Sequence, residues 1–167
     1  MARVLIVGCG CRGRALAGAL AADGHAVRGT TRDSHTAERI AGAGADPYVG
    51  DPDRIGTLMD ALAGVTILVW LLGCAAGEPE RVAALHDGRL RMLFEKLVDT
   101  PVRGVVYEAE GTVPAGALAR GRALAAHAEA TWHLPVALLE APPAPHDAWL
   151  GAARAAVAGL LAPDRPR

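Results

Sequence analysis

Three glycines near the amino terminus stand at the spacing that lets a backbone wrap around phosphate groups. Gly8, Gly10 and Gly13 follow four consecutive apolar residues and precede alanine- and leucine-rich sequence typical of a helix. In that context Gly8 permits a tight turn, Gly10 a close approach of a pyrophosphate, and Gly13 close packing of helix on strand. The amide groups at Cys11 and Arg12 and the positive end of the helix dipole would face the phosphates. The stretch therefore predicts a dinucleotide-binding site.

The end of the second predicted strand indicates which dinucleotide fits. Counting from Gly24 places the last strand position at Thr31, followed by Arg32. An acid at this position accepts hydrogen bonds from the ribose hydroxyls of NAD, whereas a hydroxyl and a guanidinium suit the 2′-phosphate of NADP. A register shifted by two residues would place Asp33 in the acidic role and restore NAD. The pattern favours NADP and leaves NAD as the alternative.

A second binding segment follows the longest apolar run, 65–72, which predicts a strand buried on both faces. Ligands of open α/β sheets bind outside the carboxyl ends of the strands, where the strand order reverses. The residues there, Leu72, Gly73 and Cys74, begin a stretch of small side chains that would let a nicotinamide ribose lie against the backbone. The alternative is a simple flexible connection.

The elements that must position these residues alternate between strand and helix patterns. This alternation predicts a three-layer α/β fold, a doubly wound parallel sheet of about six strands in the order 3-2-1-4-5-6 if the connections are right-handed. Ser34 is a candidate N-cap for the second helix. The predicted strands are 4–7, 25–31, 46–49, 65–72, 103–108 and 135–140. The predicted helices are 12–23, 34–42, 54–63, 78–98 with a break near 87–88, 114–132 and 147–161.

Length and composition limit the function classes. The 167 residues are 51% hydrophobic and 21% charged, which suits a single domain, 1–167, with a short C-terminal helix and no separate substrate domain. No apolar run is long enough for a membrane span, and the apolar start ends too early for a signal peptide. A net charge of −1 gives no support for nucleic-acid or membrane binding. We expect a cytoplasmic protein.

The three cysteines, Cys9, Cys11 and Cys74, give neither a disulfide framework nor a zinc-site spacing. We interpret them as small buried or turn residues in a reducing compartment, and we expect no metal. Expected partners are a dinucleotide and a small-molecule substrate. The alanine-rich last helix is a candidate surface for a homodimer.

The motifs together resemble a known family. The run 4–32, then Gly50-Asp51, then 61–65 is similar to the nucleotide-binding part of short-chain dehydrogenase/reductases. The likeness is to their extended and atypical branches, which are sugar-nucleotide epimerase-like and NADP-sensor-like, and it covers about two-thirds of the chain. The resemblance implies a Rossmann fold, an adenine contact at Asp51, and a nicotinamide ribose held at 73–76.

The catalytic residues of that family do not carry over. Those enzymes use a Ser after the fifth strand and a Tyr-x-x-x-Lys on the next helix, whose Tyr exchanges the carbonyl proton. Here Ala109 and Glu110 stand in place of the Ser, and the predicted helix 114–132 contains neither Tyr nor Lys. Glu108 and Glu110 remain as candidates for acid–base chemistry, beside the alternative that Glu110 is an ordinary loop acid.

Two hypotheses follow from this departure. The first is an atypical NADP-dependent oxidoreductase acting on a compact carbonyl substrate. The second is a non-catalytic NADP(H) sensor or a regulatory or structural subunit, which the missing catalytic residues favour.

Overall fold

One six-stranded parallel sheet organises the protein, which we describe over residues 1–163 of a computed structural model. The strand order 3-2-1-4-5-6 confirms the predicted doubly wound fold. The order reverses between the first and fourth strands, where Val7 pairs with Trp70. The carboxyl ends at this point therefore border the crevice where α/β proteins bind ligands. The strands are β1 (Arg3–Val7), β2 (Ala26–Thr31), β3 (Asp46–Val49), β4 (Ile67–Trp70), β5 (Gly104–Glu108) and β6 (Val136–Leu139).

Helices cover both faces of the sheet, and two separate apolar cores result. The first, second and sixth helices pack on one face, and the fourth and fifth pack on the other. The predicted break near residues 87–88 separates the third helix from the fourth. The helices are α1 (Cys11–Ala22), α2 (Ala37–Gly42), α3 (Pro79–Ala84), α4 (Gly88–Leu97), α5 (Ala115–Trp132) and α6 (His146–Leu161).

β1 supplies apolar side chains to both cores because successive strand residues point to opposite faces. Val4 and Ile6 belong to the core under α1 and α6, whereas Leu5 and Val7 belong to the core under α4 and α5. All four side chains are fully buried, and burying each contributes about 1.5–3 kcal/mol. The apolar run that precedes the glycines therefore anchors the glycine turn at the centre of the sheet.

The predicted helix 54–63 is wrong as an α-helix. Two 3-10 helices, Ile55–Leu58 and Asp60–Leu62, occupy this region instead. The hydroxyl of Thr57 donates to the carbonyl of Arg54 at 2.7 Å and accepts from the amide of Asp51 at 2.8 Å. A side chain that bonds nearby backbone groups in this way offers an alternative to α-helical hydrogen bonds.

The predicted helix 34–42 and its cap also need correction. A 3-10 helix, Ser34–Thr36, precedes α2, and its N-cap is Asp33 rather than Ser34. The Asp33 carboxylate accepts a hydrogen bond from the amide of His35 at 2.9 Å. Asp and Ser are both favoured as N-caps, so composition alone did not distinguish them.

Across residues 1–163 no helix combines the length and the apolar character needed to cross a bilayer.

We predict that Gly121→Ala destabilises the fold where α5 crosses β5. A Cβ at Gly121 would lie 1.8 Å from the hydroxyl oxygen of Tyr107, a fully buried side chain. Such overpacking costs about 1–3 kcal/mol, which urea denaturation would measure.

The matched control is Gly116→Ala on the same helix, where an added Cβ meets no atom within 4 Å. Because Ala has the higher helix propensity, this variant should be as stable as the wild type or slightly more so. Equal stability of the two variants would contradict the close approach of Tyr107 and α5.

Candidate functional site

A cavity of about 390 Å³ lies along the carboxyl ends of β1, β2 and β3. Its walls come from the glycine turn, the ends of β2 and β3, and the segment from β4 into α3. The predicted binding residues that line it are Gly8, Gly10, Thr31, Arg32, Asp51 and Leu72. Residues that the sequence reasoning missed also line it, among them Arg14, Thr36, Asp53, Glu78 and Arg81.

A second cavity of about 330 Å³ lies where the glycine turn faces the loop after β4. It shares Gly8, Gly10, Leu72 and Ala75 with the first cavity, so the two adjoin along the glycine turn. The predicted residues that line only this cavity are Cys11, Arg12, Gly13 and Cys74. Gly73, a buried residue of the same loop, lines neither cavity.

The glycine turn has the geometry that its spacing predicts. Gly8 has φ +87°, and a Cβ there would lie 2.4 Å from the carbonyl oxygen of Leu71. A Cβ at Gly13 would lie 2.9 Å from the carbonyl oxygen of Gly8, so this glycine lets α1 approach the turn. A Cβ at Gly10 would meet no atom within 4 Å, because its Cα faces the open cavities. This geometry leaves room for a phosphate beside the backbone at the start of α1.

The end of β2 presents hydroxyl and guanidinium groups to the first cavity. Thr31 is the last strand residue, and Arg32 beside it is exposed. Arg14 from α1 and Thr36 line the same cavity. Within residues 1–163 neither arginine forms a salt bridge. Asp33 does not line this cavity, and its carboxylate caps the following 3-10 helix. The signal for Arg14 was its position one helical turn after Gly10.

Acidic residues line the cavity at the end of β3. The Asp51 carboxylate accepts from the amide of Asp53 at 2.9 Å. Asp53 in turn pairs with Arg89 of α4 at 3.1 Å and with Arg81 of α3 at 3.4 Å. Because Arg81 lines the cavity, Asp53 ties the rim formed by α3 to the end of β3.

Glu108, at the end of β5, lies fully buried beneath the second cavity and lines neither cavity. Its Oε2 accepts from Arg12 Nη1 at 2.5 Å and from Trp149 Nε1 at 3.2 Å. Its Oε1 accepts from Arg12 Nη2 at 3.1 Å and from the amide of Gly73 at 2.8 Å. The Arg12 guanidinium also stacks on the Trp149 ring, 4.6 Å from its centroid. The carboxylate thus joins α1, α6 and the loop after β4 (residues 71–78, called the β4 loop below).

Pairing with Glu108 keeps the Arg12 side chain charged. Burial by itself lowers the pKa of Arg12, but the hydrogen bonds and negative charge of Glu108 outweigh burial and raise it. The guanidinium therefore stays cationic. Sequence reasoning did not find the pair because 96 positions separate the two residues.

Glu110, the other predicted acid, is half-buried and also lines neither cavity. Its carboxylate accepts from the amide of Gly111 at 3.4 Å. Its carbonyl oxygen packs against Gly73, where a Cβ would lie only 2.3 Å away. Neither predicted acid is therefore presented directly to a ligand in the cavities.

A buried His–Tyr pair supports the loop after β4. His86 Nε2 lies 2.9 Å from the carbonyl oxygen of Leu72, and His86 Nδ1 lies 2.6 Å from the Tyr107 hydroxyl. A carbonyl only accepts, so Nε2 carries the proton and the Tyr107 hydroxyl donates to Nδ1. Burial lowers the pKa of His86 and raises the pKa of Tyr107, so both side chains are neutral at pH 7.

The thiols differ in environment. Cys9 is buried, and burial raises its pKa to about 11, whereas Cys11 is exposed and Cys74 is half-buried on the second cavity. In the described part of the chain, no group of three or more His, Cys, Asp or Glu side chains is placed to hold a metal ion.

Comparisons with known proteins extend the fold assignment. No protein-family model matches the sequence, and no curated protein matches it either. Solved structures do match. A short-chain dehydrogenase/reductase superfamily protein from Agrobacterium tumefaciens, solved with bound NAD, aligns at 20% identity and TM-score 0.69, covering 83% of this chain and 48% of that one.

Two further solved structures align over a similar share of this chain and at similarly low identity. UDP-glucuronic acid 4-epimerase from Bacillus cereus, in complex with NAD, aligns at 12% identity and TM-score 0.66, covering 84% of this chain and 56% of the epimerase. Triphenylmethane reductase from Citrobacter sp., complexed with NADP(H), aligns at 19% identity and TM-score 0.61, covering 82% and 48%. The chain spans about half the length of these proteins. Identities this low show a shared fold. They confirm the Rossmann fold that the sequence resemblance implies.

We predict that His86 makes folding stability depend on pH. An unfolded His gains its proton near pH 6.5, whereas burial delays protonation of His86 to lower pH. Below pH 6.5 the unfolded chain therefore binds more protons, and the free energy of unfolding falls as pH falls, by up to about 1.4 kcal/mol per pH unit. His86→Gln should remove this component from urea denaturation between pH 7 and pH 5.

The control is His127→Gln on α5, which removes an exposed histidine. We expect that variant to keep the wild-type slope. A wild-type slope in the His86 variant would show that this ring is not the group responsible.

Proposed function

We propose that the chain binds NADP(H) in the groove formed by the two cavities. In a doubly wound sheet each half binds one mononucleotide, and the pyrophosphate crosses between them at the first helix. The adenosine half would lie in the first cavity, over β1, β2 and β3. The nicotinamide half would lie in the second, where the glycine turn faces the β4 loop.

The observation that carries this proposal is the chemistry at the end of β2. Arg14 and Arg32 line one cavity together with Thr31 and Thr36, whose hydroxyls bond each other and the Asp33 carbonyl. Guanidinium groups are the donors that a 2′-phosphate needs. The acid that would favour NAD, Asp33, directs its carboxylate to the amide of His35 instead. This arrangement supports NADP over NAD.

The glycine turn supports the pyrophosphate position. Gly10 carries no side chain where the cavities open, and α1 begins at the next residue with its free amide groups. The amides of Cys11 and Arg12 would bind the phosphates. Asp51 lies at the cavity wall for an adenine contact, and Leu72 and Cys74 lie at the wall for the nicotinamide ribose.

We further propose an oxidoreductase role. In it, bound NADPH would supply a hydride to an electrophilic substrate. The proton for such a reaction would have to come from a group other than a Tyr or Lys of α5, because that helix has neither. Glu110 stays a candidate because its half-buried carboxylate is held only by a long hydrogen bond of 3.4 Å from the amide of Gly111 within the described residues. Glu108 is engaged by four N–H groups, which makes it the weaker candidate.

The second candidate role is a non-catalytic NADP(H) sensor or a regulatory subunit. The observation in its favour is that the buried titratable side chains beneath the β4 loop are already engaged within the protein. The Tyr107 hydroxyl bonds His86, and Glu108 bonds Arg12. Incubating the loaded protein with aldehydes, ketones and quinones separates the two roles. Oxidation of NADPH above the rate in buffer favours the enzyme, and its absence across the panel favours the sensor.

We predict that Arg32→Ala weakens NADP binding by about tenfold to a hundredfold, because one charge-assisted hydrogen bond to the 2′-phosphate is lost. NAD has no phosphate at this position, so its affinity should change little. Titration calorimetry with NADP(H) and NAD(H) side by side measures both effects.

Arg39→Ala is the matched control, since Arg39 is an exposed arginine of α2 that lies outside the cavity. It should leave both affinities at the wild-type value. Equal weakening of NADP and NAD by Arg32→Ala would show that the 2′-phosphate binds elsewhere. Binding of neither dinucleotide to the wild type would refute the proposed function.

A further inference from the structure

The buried carboxylate of Glu108 connects the two walls of the second cavity. One wall is the first turn of α1, from which Arg12 reaches down to both carboxylate oxygens. The other wall is the β4 loop, where the Gly73 amide donates to Oε1 between the cavity-lining residues Leu72 and Cys74. A single side chain therefore bonds to both walls.

The β4 loop has little freedom around this contact. A Cβ at Gly73 would lie 2.8 Å from Glu108 Cγ, and one at Gly111 would lie 2.1 Å from the carbonyl oxygen of Gly73. The same Gly73 carbonyl accepts from the amide of Val113 at 3.0 Å. The loop thus packs directly on the segment after β5, with the carboxylate as its hydrogen-bond acceptor at the centre.

We propose that Glu108 is a positioning residue that sets the width of the nicotinamide half of the groove, through Arg12 on one side and Gly73 on the other. The inference rests on the proposed function. Glu108 is fully buried and lines neither cavity, so it acts on a ligand only through the groups it holds. Its bonds go to Arg12, Gly73 and Trp149, and none goes to a residue at the ends of β2 and β3.

Glu108→Gln tests this role with little change in volume. Each carboxylate oxygen accepts two N–H groups in the wild type. A glutamine has one oxygen, so in either orientation its NH₂ group faces two donors. The substitution also leaves the Arg12 guanidinium without its anionic partner, and we expect both walls to shift.

The measurement compares two ligands by titration calorimetry: NADP⁺ and adenosine 2′-monophosphate, which lacks both the pyrophosphate and the nicotinamide half. Glu108→Gln should weaken NADP⁺ binding by about tenfold, the effect of one charge-assisted hydrogen bond. Binding of the monophosphate should change by less than about twofold, because its groups lie at the ends of β2 and β3, away from the first turn of α1. Purely structural damage would weaken both ligands alike.

Two further variants complete the test. Glu140→Gln makes the same change at an exposed carboxylate that pairs with Arg122, and it should bind both ligands as the wild type does. Glu108→Asp keeps the charge on a shorter side chain, so it should recover part of the NADP⁺ affinity. If circular dichroism shows that Glu108→Gln does not fold, Glu108→Asp replaces it in the comparison of the two ligands.

The outcomes separate the inference from the proposed function. Wild-type NADP⁺ affinity in the Glu108 variants, or equal weakening of both ligands, overturns the positioning role while the proposed function stands. A wild type that binds neither ligand overturns both.

Discussion

A carboxylate that is fully removed from water must be surrounded by donors, and this requirement shapes the centre of the molecule. Leaving a buried charge without partners costs several kcal/mol, on the order of the stability of a whole domain. Glu108 meets the requirement with N–H groups from Arg12, Gly73 and Trp149. These residues belong to α1, the β4 loop and α6, so those three elements must converge at the end of β5. That convergence brings the first turn of α1 and the β4 loop together beside the carboxylate.

The packing around this centre separates supporting groups from exposed ones. His86 and Tyr107 are buried and neutral. His86 donates to the Leu72 carbonyl, and the Tyr107 hydroxyl donates to His86. The groups that face the cavities are mostly backbone, small side chains and the arginines at the end of β2. The titratable buried groups therefore support the groove from beneath, and the proposed dinucleotide binding relies on backbone amides and on Arg32. A site of this type suits phosphate binding before it suits proton transfer.

The charged side chains that line the first cavity differ between its two ends. Cationic side chains, Arg14 and Arg32, lie toward the end of β2, whereas Asp51 and Asp53 lie at the end of β3. A phosphate is attracted to the first end and repelled from the second. The pairing of Asp53 with Arg81 also ties α3 to the sheet at the rim. The position expected for a 2′-phosphate is therefore distinguished electrostatically from that expected for the adenine.

The amino-acid sequence specifies the fold and the glycine turn, because both depend on short-range patterns. Apolar runs and glycine spacing specify β1, the turn at Gly8 and the alternating elements, and the strand order follows from right-handed connections. Only the tertiary structure decided which side chains meet across long separations, such as Arg12 with Glu108. It also decided that the Thr57 hydroxyl bonds the backbone of Arg54 and Asp51, where 3-10 helices stand in place of the predicted α-helix. Such contacts depend on how the loops pack at one edge of the sheet, and no local pattern encodes that packing.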